Sequence, residues 1–133
     1  MTTRITADFA IVSWHEEIYD QPEEGSTLLQ ATIQKSYQGA VEGTSVARLL
    51  MVRAGDEGGE GYLGSERVTA RLGERAGTFV IQHGGIASGD ELFSFGHVVK
   101  DSGTGDLAGM SGTCAFRHDE QGAVFTLDYD LGP

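Results

Sequence analysis

Asparagine is absent from this 133-residue chain, proline and lysine each occur twice, and there is one cysteine and one tryptophan. A lone cysteine, Cys114, excludes an intrachain disulfide framework and fits a reducing compartment. The longest fully apolar run is a few residues, too short for a membrane helix. The start, MTTRITADF, lacks the basic and apolar regions of a signal peptide, so a cytoplasmic protein is expected. Basic residues are scarce as well: 9 Lys+Arg against 20 Asp+Glu give a formal charge of −11. Such a field repels phosphate backbones, so nucleic-acid binding is not expected and the acidity serves solubility. No segment carries apolar residues at i, i+3, i+4 and i+7 among good helix formers, which leaves an all-β chain. With neither asparagine nor much proline, its turns fall to aspartate and to the 20 glycines.

What is there is alternation. Residues 4–14, 27–38, 44–53, 62–70, 76–83, 91–100, 113–118 and 123–131 read as about eight strands of one domain spanning 1–133. Between them, 15–26 reads as an acidic irregular segment in which Ile18 and Tyr19 can tuck against a barrel mouth. Residues 54–61 and 84–90 read as loops, and the glycine-dense 102–112 as a tight, bulged connection. In 27–38, Leu29, Ala31, Ile33, Lys35 and Tyr37 share the side expected to be buried. Simple hairpins between long strands favour an up-and-down closed antiparallel eight-stranded barrel, since closure removes exposed edges.

The hairpin 62–83 carries the candidate chemistry. With residues 71–75 as its loop, Ala70 lies opposite Ala76, and Glu66 and Gln82 fall on one face with Tyr62, Val68, Thr78 and Val80. Glu66 and Gln82 are then the candidate catalytic pair: burial raises a carboxylate's pKa towards general acid/base use, and the carboxamide orients it or holds a ligand carbonyl. The competing reading is a structural ion pair of Glu66 with Lys35 or Arg67. If the opposite face points inward, Arg67, His83 and His97 replace the pair and Phe79, Ile81, Phe93 and Phe95 fill the lumen. Trp14, Lys35, Tyr37, Tyr62, Val68, Val80 and Val98 are the expected ligand-binding wall. The four histidines (15, 83, 97, 118) lack metal-ligand spacing and no cysteine pair exists, so no metal is expected. Cys114 reads as a buried small hydrophobe.

Several runs occur in a set order: W-x-E at Trp14 and Glu16, K-x-Y-x-G at Lys35–Gly39, G-x-E-R at Gly64–Arg67, G-x-F-x-x-Q-H at Gly77–His83, S-G-T-G-x-L-x-G at Ser102–Gly109 and L-D-Y-x-L at Leu127–Leu131. Together they span nearly the whole chain and resemble the bacterial domain of unknown function 3224 family, whose fold is similar to the allene oxide cyclase barrel. The resemblance implies a closed eight-stranded barrel with an apolar lumen, and no catalytic residue is carried across with it. Barrel cyclases of that kind work without a cofactor, by holding a reactive apolar substrate in one shape.

Three functions compete. One is a barrel that binds a mostly apolar metabolite, with a neutral ligand preferred over an anionic one. The second is a cofactor-free cyclase or isomerase using Glu66 as acid/base. The third is a filled barrel that acts as an interaction module. An outer patch of Leu63, Phe79, Ile81, Phe93 and Phe95 would need a cover, so a homo-oligomer, most simply a dimer, is expected.

Overall fold

Eight antiparallel strands follow one another around a closed barrel, each paired to the next and β8 returning to β1. They are β1 (Thr3–Asp20), β2 (Thr27–Gly39), β3 (Glu42–Arg53), β4 (Glu60–Leu72), β5 (Arg75–Ser88), β6 (Glu91–Val98), β7 (Ser111–Asp119) and β8 (Gly122–Asp130). This is a computed structural model, and it describes residues 2–55, 59–88 and 91–132. Parts of two expected loops, residues 56–58 and 89–90, lie outside the described residues. Among the described residues no helix is long and apolar enough to cross a membrane.

Two strands run further than the sequence pattern suggests. β1 continues through the segment expected to be irregular as far as Asp20, and β5 runs on to Ser88. The β4–β5 loop is also shorter than expected: Leu72 pairs with Arg75, which leaves Gly73 and Glu74 as the loop. Gly73 has φ +65°, the conformation a two-residue hairpin loop requires at its first position. Ala70 therefore pairs with Gly77 and Glu66 with Ile81, one residue out from the expected register. Because strand side chains alternate, that step sends the whole of β5 to the opposite face. Phe79, Ile81 and His83 point inward and are buried; Thr78, Val80 and Gln82 point outward.

A second irregularity lies in β1. Ile11 pairs with Lys35 but Ser13 pairs with Gln34, so Val12 forms a bulge. Below the bulge Ala7, Phe9 and Ile11 share the inner face; above it Trp14, Glu16 and Ile18 do, opposite Ile33, Ala31 and Leu29. Without the bulge Trp14 would face outward.

The interior differs between its two ends. At the end bearing the β2–β3 and β4–β5 turns it is filled by Tyr37, Val41, Phe79, Leu107, Met110, Phe125 and Leu127. The connection 102–112 is a plug here, with one 3-10 turn at Gly105–Leu107 that inserts Leu107 and Met110. It is tied to β5 by Thr104 N–H donating to the Thr78 carbonyl at 2.8 Å. Gly77 permits that approach: a Cβ there would collide with the Thr104 carbonyl oxygen. At the other end Ala31, Ile33, Ala47 and Leu49 form a smaller cluster with Met51 and Tyr62. There the wall is incomplete. Among the described residues the β1–β8 ladder stops at Asp8↔Val124, and β6 and β7 share only two rungs, His97↔Thr113 and Val98↔Gly112. The inner face of upper β1 thus lacks a neighbour on one side.

Candidate functional site

Between the two clusters sits Glu66, with 0% of its surface exposed. Four side chains from three strands reach its carboxylate. Lys35 Nζ (β2) lies 2.9 Å from Oε1, and His83 Nε2 (β5) lies 2.9 Å from the same oxygen. Tyr37 OH (β2) and Ser45 Oγ (β3, at 2.6 Å) both donate to Oε2. Inner-face positions bring them together: Lys35 pairs with Ser45, Ser45 with Val68, and Glu66 stands two residues before Val68 on the same face. A buried carboxylate offers about four acceptor positions, and four donors saturate it.

Burial is the largest single influence on Glu66 and pushes its carboxyl up. The His83 hydrogen bond, the Lys35 ammonium and the Ser45 and Tyr37 hydroxyls together outweigh it and hold the group at about 2. The expected rise is therefore reversed, because three hydrogen-bond donors and a cation replace the lost water. Glu66 is an ionised anchor and a weak base. The same environment pushes its neighbours up: Tyr37 well above the ordinary phenol range through burial and then the Glu66 charge, and Cys114 to about 12 for the same two reasons.

Above the carboxylate the cluster is roofed by rings. Lys35 Nζ lies 4.1 Å from the centre of the Phe116 ring and 5.5 Å from that of Phe9, where the ring faces stabilise the cation. Phe116 also packs on His83 at 4.8 Å and edge-on against Phe9 at 5.3 Å. Beyond the roof His83 makes one more contact, Nδ1 to the Tyr62 hydroxyl at 3.1 Å. A carboxylate only accepts, so Nε2 carries the hydrogen towards Glu66. Glu66, His83 and Tyr62 thus form a chain running from the closed interior to a half-buried phenol. Burial, and then the Glu66 charge, raises the Tyr62 pKa, which keeps that phenol a donor.

The expected site residues separate cleanly. Glu66, Lys35, Tyr37, Val68 and Val98 are buried inside, and Tyr62 is half-buried beside them. Gln82 is outside, donating to Ser65 Oγ at 3.1 Å, so it cannot orient Glu66. Val80 also faces outward; its amide is bonded to Ser102 Oγ. Trp14 is on the inner face but at the open side, where its indole donates to Glu16 Oε1 at 2.8 Å. Glu16 is in turn paired with Arg53 at 2.9 Å, and the Arg53 and Trp14 hydrogen bonds lower its pKa. Of the alternative set, His83 is at the site while Arg67 and His97 face out. Ser45 was missed: nothing in TSVARLL marks a hydroxyl at a buried alternating position as a carboxylate ligand. Among the described residues no group of three or more His, Cys, Asp or Glu side chains could hold a metal ion.

No match was found among functionally curated proteins. The family model described as "Protein of unknown function (DUF3224)" matches residues 5–131. A crystal structure of a protein of unknown function from the DUF3224 family of Shewanella oneidensis MR-1 superposes with a TM-score of 0.89. The two are 28% identical, and the match covers 100% of each chain. On the strength of a match across almost its full length, this chain belongs to the DUF3224 family.

Proposed function

We propose that the protein binds a mostly apolar, uncharged small molecule in the open upper half of the barrel, with the Tyr62 hydroxyl as its polar contact. The reading rests on one observation. In a barrel whose lower half is filled, the inner-face side chains Ile11, Trp14 and Ile18 remain 46%, 43% and 51% exposed beside the missing wall. Apolar walls with a single hydrogen-bonding group are the ordinary make-up of a small-molecule site. The rim selects against anions, since the strand ends and turns described there carry Asp20, Glu23, Glu24 and Glu120 beside the Arg117–Asp119 ion pair. Titrating Trp14 emission with 1-decanol and with decanoate tests this. A saturable response to the alcohol and a weaker one to the carboxylate supports the reading; tighter decanoate binding, or no response to either, overturns it.

The Glu66–His83–Tyr62 chain favours a second reading, cofactor-free proton transfer to a bound carbonyl. Here the phenol, its hydrogen turned from His83 Nδ1 to the carbonyl oxygen, is the acid, a buffer base takes the α-hydrogen, and Glu66 only orients the imidazole. It predicts faster exchange of the α-hydrogens of 2-decanone in deuterated buffer with the native protein than with Tyr62→Phe or His83→Gln. Equal rates for all three would exclude it.

A further inference from the structure

The outer face of β3–β6 carries a second feature, built from side chains that point away from the lumen. Register fixes its rows. Val52, Gly61, Ile86 and Phe93 lie side by side nearest the open end, and Leu50, Leu63, Gly84 and Phe95 form the next row. All six side chains larger than glycine in these rows are exposed, between 38% and 64%. Tyr19 leans in from the end of β1, and a shallow depression of about 270 Å³ lies among Tyr19, Leu50, Leu63, Ile86, Phe93 and Phe95, with Tyr62 also in its lining. Together the six side chains leave roughly 600 Å² of apolar surface in water, taking ordinary side-chain areas. That is the top of the range, about 300–600 Å², for the largest apolar patch on a typical monomer, and with its rim it approaches the ~800 Å² that each partner of a stable complex buries. Phe79 and Ile81, expected in this patch, are inside the barrel instead.

The rim decides the occupant. On the side of the open end, Asp20 follows Tyr19 at the end of β1, and Glu23 and Glu24 lie in the turn after it, all exposed. On the other side the next row is polar and brings up Arg48 beside Ser65, and the row after it holds Arg67 between Val46 and Val80. The patch is an apolar band with an acidic border at one end and an arginine border at the other. A partner of a single charge would be attracted by one border and repelled by the other. A second copy satisfies both.

From this we infer that the β3–β6 face is a homodimer interface, packed face to face with the two-fold axis in the interface plane and across the strands. That orientation reverses the strands of one copy relative to the other, so each acidic border meets the partner's arginines, twice by symmetry. An axis along the strands would set acid against acid.

Sedimentation equilibrium tests the inference with the full chain. The native protein is expected to sediment at twice its 14.1 kDa mass at micromolar concentration. The double variant Leu63→Ser/Phe93→Ser is expected to be monomeric with an unchanged far-ultraviolet circular dichroism spectrum. Arg67→Glu is expected to weaken association by about tenfold or more, and adding Glu23→Lys and Glu24→Lys to it is expected to restore it. A native monomer throughout the micromolar range overturns the proposal, as does a dimer that the double variant leaves intact. An Arg67→Glu defect that the added lysines deepen would overturn the strand-reversed orientation. Binding of decanol by the monomeric variant keeps this outcome separate from that of the lumen site, since Trp14 faces the interior.

Discussion

Replacing Glu66 by glutamine keeps the shape of the side chain and removes its charge, leaving the Lys35 ammonium buried with no counter-ion at 2.9 Å. Removing one partner of a buried ion pair costs about 3–5 kcal/mol, because the remaining charge is stranded. The pKa points to the same scale: a fall from the ordinary 4.5 to about 2 corresponds to about 3 kcal/mol of stability at neutral pH. The sign follows from a folded-state pKa below the unfolded one. The contribution is fully present above about pH 4.5 and is lost as pH falls through about 2. Urea unfolding at pH 7 should therefore show Glu66→Gln weakened by about 3 kcal/mol or more, with melting lowered by roughly 10–20 °C. Between pH 5 and pH 2 the native protein should lose an increment of stability that the variant lacks. A variant within about 1 kcal/mol of native at pH 7 would refute the reasoning, since it would mean that the four donors do not hold a charge.

Lys35→Met strands the carboxylate instead and should cost about 3 kcal/mol; combined with Glu66→Gln, urea unfolding should show a loss smaller than the sum by about 1–3 kcal/mol. Gln82→Ala, outside the barrel, should change unfolding stability by no more than about 0.5 kcal/mol and leave decanol binding unaltered. Cys114, buried and with its pKa pushed up to about 12, should resist a disulfide reagent at pH 8 until urea unfolds the chain, which timed absorbance reads directly.

The strands were legible because half-buried strands alternate, as Leu29, Ala31, Ile33, Lys35 and Tyr37 do on the inner side of β2. The closed barrel followed from their number and simple order. Register was harder to read, because one residue decides which face points in. Taking 71–75 as the hairpin loop put Gln82 beside Glu66, whereas a loop of Gly73 and Glu74 puts His83 there. The bulk of Phe79 and Ile81 against Thr78 and Gln82 was the available clue to the inner face. The bulge at Val12 left no comparable mark, yet it alone turns Trp14 inward. The carboxylate's charge state was out of reach, since it depends on Tyr37, Ser45 and His83 arriving from three other strands.

Binding in the open upper half is tested most directly by two-dimensional amide and indole nuclear magnetic resonance during titration with 1-decanol. The account predicts saturable shifts of the Trp14 indole and of the amides of Ile11, Ile18, Tyr62 and His83, with the Leu107 and Met110 amides of the plug unmoved. Shifts confined to the outer face at Leu50, Leu63, Ile86 and Phe93, or no shifts at all, would contradict it.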